Sequence, residues 1–247
     1  MTPLAPRALL LDLDNTVYPY EPCHAAGLAV SHKLAMTLND GWSTPTEFVK
    51  DYALARQAVK DQIGPQQAAR HSRLLYFKTI IETQFGRTDL ERTRQLHEAY
   101  WQGYFSLMKP DAGCAELLRD LRARGVQLAW VSNFTTERQM LKLCALGLEH
   151  AADFLITSEE AGADKPSPAI IDFALAQLRA RPDETWLVGD DLKDDIGAAR
   201  ARSLTAVWFQ RQGIAEGAEQ PNLGEQPDFV VRDWFELREL LDHEQRG

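Results

Sequence analysis

Six short apolar runs constrain this chain most. Ala8–Asp14, Val126–Ser132, Phe154–Ser158, Thr185–Gly189, Leu204–Phe209 and Phe229–Val231 are near-continuous in Val, Leu, Ile and Trp rather than alternating. A strand with one wet face alternates apolar and polar residues, whereas one buried on both faces of a parallel sheet does not. Helical patterns stand between the runs. Leu117, Leu118 and Leu121 share a face before Gly125, a residue type that suits the end of a helix. Thr136 and Gln139 read as a capping box ahead of Met140, Leu143 and Leu146, with Gly147 at the end. Ser167-Pro168 reads as an N-cap and first-turn proline before Ile171, Ala174, Leu175 and Leu178. Strands alternating with helices predict an α/β fold: a doubly wound, Rossmann-like parallel sheet.

Residues 17–108 read differently, with no convincing strand. Two capping boxes, Thr44 to Glu47 and Thr88 to Glu91, and the breaks at Gly64-Pro65 and Gly86 mark four helices near 25–39, 45–62, 66–84 and 89–107. The expected organisation is an α/β core of residues 1–16 and 109–247, with 17–108 as an all-α insertion. The stretch 210–227, rich in Gly, Gln, Glu and Pro, reads as a surface loop.

Composition narrows the function. A net charge of −9 argues against a nucleic-acid polymer or an anionic membrane surface as partner. No apolar run reaches the roughly 18 residues of a membrane span, and the first residues lack the features of a signal peptide. Cys23, Cys114 and Cys144 form no C-x-x-C pair and no zinc pattern, as expected of reduced thiols in a cytoplasmic protein. Cys23 and His24 are sequence neighbours, a poor geometry for a thiol–base pair.

Four polar segments close predicted strands or the turns after them: Asp12 to Thr16, Ser132-Asn133, Lys165-Pro166 and Gly189 to Asp195. Ligands of open α/β sheets bind outside the carboxyl ends of the strands, so these segments converge on one crevice. Singly, each reads as a solvated turn, an N-cap, a loop lysine or an acidic helix start. Together they bring several carboxylates to one ammonium and one hydroxyl. Such carboxylates repel one another unless a hard cation joins them, and Mg²⁺ takes oxygen ligands together with substrate phosphate. Phosphoryl transfer needs mainly positioning and charge neutralisation, which these groups can supply.

The ordered segments Leu10-Leu11-Asp12-Leu13-Asp14-Asn15-Thr16, Trp130-Val131-Ser132-Asn133, Ala163-Asp164-Lys165-Pro166-Ser167-Pro168 and Val188-Gly189-Asp190-Asp191 through Asp195 resemble the four motifs of the haloacid dehalogenase superfamily. The resemblance is to its phosphatase branch, subfamily I, which carries a helical cap between the first two motifs. It implies that Asp12 is the nucleophile, forming an aspartyl-phosphate, and that Asp14 is the general acid and base. It implies Mg²⁺ as cofactor, held by Asp12, Asp190 and the backbone carbonyl of Asp14. Thr16 would support the two motif aspartates. Ser132 and Asn133 would bind phosphate, Lys165 would neutralise Asp12 and the phosphoryl group, and Asp195 would orient a metal-bound water or Lys165.

The sequence departs from the family pattern in three places: Asp191 stands where Ser or Thr is common, Asp194 where Asn is common, and Ser203 where Gly is usual. The activity implied is a phosphomonoesterase acting on a small phosphorylated metabolite, either a nucleoside 5'-monophosphate or a sugar or organic phosphate. Residues 134–139 resemble nucleotidase-like members, which makes the nucleotide the first substrate expectation. Tyr18, Tyr20, Glu21 and His24, leaving the first strand, are candidates for substrate choice, whereas Trp101, Tyr104 and Phe105 read as core. A phosphomutase would share every motif. A 2-haloacid dehalogenase would carry an aromatic residue in place of Asp14 and need no metal. A phosphate-sensing module resembling receiver domains would need neither Asp14 nor an inserted helical domain.

Overall fold

The computed structural model describes residues 5–38, 41–211, 222 and 224–244. The chain divides into two compact units, Met1–Tyr18 with Lys109–Gly247, and Pro19–Met108.

The first unit is built on a six-stranded parallel sheet: β1 (Ala8–Leu11), β2 (Gln127–Ser132), β3 (Phe154–Thr157), β4 (Thr185–Gly189), β5 (Thr205–Phe209) and β6 (Phe229–Val231). The strand order is β3-β2-β1-β4-β5-β6. Ala8 pairs with Gln127 on one side and Thr185 on the other, so β1 is central. From β1 the chain builds outward through β2 and β3, then returns to build outward through β4. The direction reverses at β1, and in such sheets the crevice for ligands opens at that reversal. Leu9, Leu10, Leu11, Trp186 and Val188 are wholly buried, as their unbroken apolar runs require.

Helices α5 (Cys114–Ala123), α6 (Thr136–Leu146), α8 (Pro168–Leu178) and α10 (Trp234–Glu244) belong to this unit, with the short α7 (Ser158–Ala161) and α9 (Gly197–Ala201). Gly125, at φ 81°, takes the left-handed conformation just beyond α5. Ser167 caps α8 from the Ala169 N–H, and Pro168 fills the first turn. The predicted capping box on α6 is not formed. Thr135 is the cap residue, the Thr136 hydroxyl meets that of Thr157, and Gln139 turns inward. Met140, expected on the buried face, is 56% exposed. Ser203, where glycine is usual, has φ 57°, so it adopts the left-handed turn that glycine would serve. Of the predicted loop 210–227, residues 212–221 and 223 lie outside the described residues.

The second unit has α1 (Tyr20–Thr37), α2 (Pro45–Ile63), α3 (Arg73–Phe85) and α4 (Leu90–Ser106). The box at Thr44 and Glu47 forms in full. The one expected at Thr88 does not, because Asp89 caps α4 from the Arg92 N–H while the Thr88 hydroxyl goes to Glu82. The helix expected over 66–84 is split into a short 3₁₀ turn, Ala68–His71, and α3, which Ser72 caps. Helix α1 starts at Tyr20, five residues earlier than expected. Tyr52, Phe48, Phe77, Tyr100 and Tyr104 fill the interior of this unit, with Trp101 beside them and Phe105 half-buried.

Candidate active site

At the end of β1 the Asp12 N–H donates to the Val188 carbonyl at 2.9 Å, which extends the pairing of β1 and β4 by one residue. The Asp12 side chain then leaves the sheet at its carboxyl end. Asn15, at φ 70°, turns the chain, and its Nδ2 donates to Asp190 Oδ2 at 2.8 Å. Thr16 Oγ1 donates to Asp12 Oδ2 at 3.1 Å.

Lys165 is the hub of the buried charge. Its Nζ donates to Asp12 Oδ1 at 2.7 Å, to Asp195 Oδ1 at 2.6 Å and to the Val131 carbonyl at 2.8 Å. An ammonium has three N–H bonds, and these contacts account for all of them. Burial alone would push the Lys165 ammonium toward neutrality, but the Asp12 and Asp195 carboxylates outweigh it and hold it charged. Asn133 fixes the loop that carries this lysine: its Oδ1 accepts from the Lys165 N–H at 2.6 Å and its Nδ2 donates to the Lys165 carbonyl at 3.0 Å. The same Nδ2 donates to Asp194 Oδ2 at 3.1 Å.

The segment after β4 turns tightly. Asp191 Oδ1 accepts from the Lys193 and Asp194 N–H groups, and Asp195 Oδ2 accepts from the Asp191 N–H at 3.0 Å. A β-carbon on Gly189 would collide with the Asp195 carboxylate. Glycine is needed there for space, not for backbone conformation.

One oxygen from each of Asp12, Asp190 and Asp195 lies within 4.8 Å of the others. Burial raises Asp12 to about 7, with Lys165 opposing the rise. Burial, then the charges of Asp12 and Asp195, raise Asp190 to about 8. Asp194 rises to about 6 through burial and the nearby Asp191 charge. Burial first and mutual repulsion second hold these acids high, and the single Lys165 does not offset both. A hard divalent cation with oxygen ligands would cancel the repulsion, and the all-carboxylate donor set suits Mg²⁺. The donors therefore fit that ion.

Asp14 faces a different set of groups. Lys142 Nζ lies 2.6 Å from both its carboxylate oxygens, the Tyr18 hydroxyl donates to Oδ1, and Gln139 Nε2 stands 3.4 Å from Oδ2. Gln139 also donates to Ser132 Oγ. Lys142 is wholly buried, with its ammonium 4.8 Å from the centre of the Phe134 ring. Sequence reasoning passed over Gln139 and Lys142 as site residues. The signal for them was spacing: Gln139, Lys142, Leu143 and Leu146 follow i, i+3, i+4, i+7, and all four are buried.

All eight residues expected at the site lie at or just beyond the ends of β1, β2 and β4 or in the loop of Lys165. Hydrogen bonds link Asp12, Thr16, Lys165 and Asp195 directly. Asn133 binds the Lys165 backbone, Asp190 stands beside Asn15, and Ser132 and Asp14 share Gln139. Of the substrate-choice candidates, Tyr18 meets Asp14, Tyr20 and His24 lie in the helical unit beside Arg73 and Tyr100, and Glu21 is exposed.

Residues 6–202 match the family model of haloacid dehalogenase-like hydrolases. The chain is 36% identical to ribulose-1,5-bisphosphate 5-phosphatase of Halopiger xanaduensis, over 95% of this chain and 98% of that protein. It is 25% identical to glyceraldehyde 3-phosphate phosphatase of Methanothermobacter thermautotrophicus, over 95% and 99% of the two chains. Among solved structures, a haloacid dehalogenase-type phosphatase from Thermococcus onnurineus matches with a TM-score of 0.71 and 26% identity, over 95% of this chain and 97% of that one. The sheet order, the four strand-end segments and these full-length matches agree, and the chain belongs to the haloacid dehalogenase-like hydrolases.

Proposed function

We propose that this chain is a Mg²⁺-dependent phosphomonoesterase that works through an aspartyl-phosphate on Asp12, with a phosphosugar-type metabolite as substrate. The observation that carries this reading is the buried Asp12 carboxylate at the carboxyl end of β1, held by Lys165 and Thr16 beside Asp190. Relatives spanning nearly the whole chain act on ribulose 1,5-bisphosphate and glyceraldehyde 3-phosphate. They favour a phosphosugar over the nucleoside monophosphate suggested by residues 134–139.

Asp12 and Asp190, with the Asp14 carbonyl, would hold the ion. Bound there, Mg²⁺ supplies charge neutralisation for the phosphoryl oxygens and for the carboxylates themselves. Lys165 and Thr16 aim the Asp12 carboxylate at phosphorus. As the Asp12 oxygen bonds to phosphorus, the bond to the ester oxygen breaks, and Asp14 gives that oxygen a proton. Asp14 then takes a proton from the water that attacks the aspartyl-phosphate, and this releases phosphate and restores Asp12. Ser132 accepts from Gln139, which leaves its own hydroxyl proton to donate to a phosphoryl oxygen. Asn133 holds the Lys165 loop, and Asp195 fixes the Lys165 ammonium. Asp14 serves the phosphatase reading and not the dehalogenase one, which lacks an acid and base at that position.

Residues 17–108 act as a cap in this reading, and the partner is a small phosphorylated molecule. Cys23, Cys114 and Cys144 are free, as suits a reducing cytoplasm. Among the described residues no helix is long and apolar enough to cross a membrane. The test is hydrolysis of p-nitrophenyl phosphate, expected with Mg²⁺ and lost with EDTA. A screen of phosphorylated metabolites with phosphate release as readout then names the substrate. Hydrolysis that EDTA leaves intact would overturn the metal assignment.

A further inference from the structure

The end of β5 touches both loops that carry the paired acids. Trp208 stands opposite Gly189 in the β4–β5 ladder, and its indole Nε1 donates to the Asp190 carbonyl at 2.9 Å. Arg211 follows just past the strand, two residues after Phe209, with its guanidinium 5.9 Å from the centre of that ring. β4 stands between β5 and β1, so the guanidinium reaches past it to the turn after β1. There Nε donates to the Asn15 carbonyl at 2.9 Å and Nη2 to the Thr16 carbonyl at 3.3 Å. Nη2 also pairs with Asp111 Oδ2 at 2.5 Å, and the Asp111 N–H in turn donates to the Val17 carbonyl at 2.9 Å.

What these contacts hold is the backbone behind both acids. Thr16 gives its hydroxyl to Asp12, and Asn15 gives its side-chain amide to Asp190. Asn15 does so at φ 70°, a left-handed conformation that residues other than glycine seldom keep unless neighbouring contacts hold it. The guanidinium supplies such contacts, because its N–H groups form a rigid fork that meets two successive carbonyls at once. Trp208 holds the Asp190 backbone with one N–H to one carbonyl. Among the described residues neither side chain bonds the carboxylate of Asp12 or Asp190, so both act through the main chain. Outer contacts of this kind orient the ligands of a metal site and tune its affinity.

We propose that Arg211 and Trp208 are positioning residues for the cation site. They hold the loops after β1 and β4 at the separation at which Asp12, the Asp14 carbonyl and Asp190 share one divalent cation. This rests on the Mg²⁺ assignment in the phosphatase reading and extends the site to β5.

Mg²⁺ is titrated calorimetrically into the full chain as wild type, Arg211→Met and Trp208→Phe. The Mg²⁺ concentration for half-maximal hydrolysis of p-nitrophenyl phosphate is measured beside it. Arg211→Met is expected to weaken Mg²⁺ binding about tenfold or more, and Trp208→Phe, which keeps a ring but loses the N–H, about threefold. At saturating Mg²⁺, kcat is expected to fall less than about threefold in both. This split separates positioning of the ion from damage to the fold, which would lower kcat at every Mg²⁺ concentration. Arg211→Lys keeps the charge and a donor, and should recover part of the affinity that Arg211→Met loses. Wild-type affinity in folded Arg211→Met overturns the proposal, as does a loss of kcat that saturating Mg²⁺ does not restore. If Arg211→Met does not fold, Trp208→Phe decides, and wild-type affinity there overturns the proposal. Wild type that takes up no Mg²⁺ would reject the metal assignment itself, whereas equal binding by all three chains rejects only the role of β5.

Discussion

The two units of this chain bury charge in opposite ways. In the α/β unit the buried ions include Asp12, Asp195 and Lys165, placed where strands end and the backbone has left the ladder. In the helical unit the buried ion is Arg73, set in line with the apolar stripe of α3 and surrounded by phenols. At the strand ends, charged partners answer one another across more than a hundred residues of sequence, as Lys165 does Asp12. In the helical stripe, one charge is met by dipoles and rings. The first arrangement fixes carboxylate oxygens through a shared ammonium, and the second holds one charge within an aromatic interior.

Substitutions can break this contrast, and the largest effect is expected at Asp12, the proposed nucleophile. Asp12→Asn keeps the shape but removes the attacking oxygen, so turnover of p-nitrophenyl phosphate should fall by about a thousandfold or more. Steady-state assay checks this, and near-normal activity would discard the aspartyl-phosphate.

Lys165→Met comes next. It leaves Asp12 and Asp195 buried without their ammonium, and the loss of one partner from such a cluster costs about 3–5 kcal/mol. Urea unfolding midpoints measure this. An unaltered midpoint would mean that the acids relax into water without the lysine.

Lys142→Gln is expected to lower kcat by about tenfold to a hundredfold while KM moves little, because Asp14 loses the group that holds both its oxygens. A change confined to KM would make Lys142 a substrate contact.

The last contrast lies in the helical unit and concerns stability rather than turnover. Burial holds His24 at about 4, below its ordinary 6.5. Between those values the unfolded chain binds the proton and the folded one does not. The contribution of His24 is therefore full above pH 6.5 and falls away as the pH drops toward 4. The whole change is on the order of 3 kcal/mol. Unfolding midpoints against pH, for wild type and His24→Gln, should converge toward acid. Parallel curves would refute the assignment.

The sequence disclosed the strands because burial on both faces leaves no choice of residue. Both ends of β4 and β6 stand where the apolar runs put them. Asp12, Asp190 and Lys165 were legible only together, because singly each has an ordinary structural use and only the order and placement of their segments point to one crevice. Gln139, Lys142 and Arg73 were not legible in the same way. Each is a long polar side chain on a helix, a residue type that usually faces water, and only its register with Leu143 and Leu146, or with Phe77 and Ile80, points inward. Capping signals were legible in part. Thr44 had no competitor for its role, whereas Thr88 and Thr136 found other hydroxyl and carboxylate partners.

Gly189 carries a consequence for how the segment after β4 tolerates change. The volume that a methyl group would fill there already belongs to the Asp195 carboxylate, which in turn holds Lys165. Gly189→Ala would therefore act like a charge substitution, although it adds only hydrocarbon: the methyl would displace a carboxylate and release an ammonium two contacts away. Here a missing side chain is as much a part of the Asp195–Lys165 arrangement as any side chain present, and adding a single carbon would be enough to disturb it.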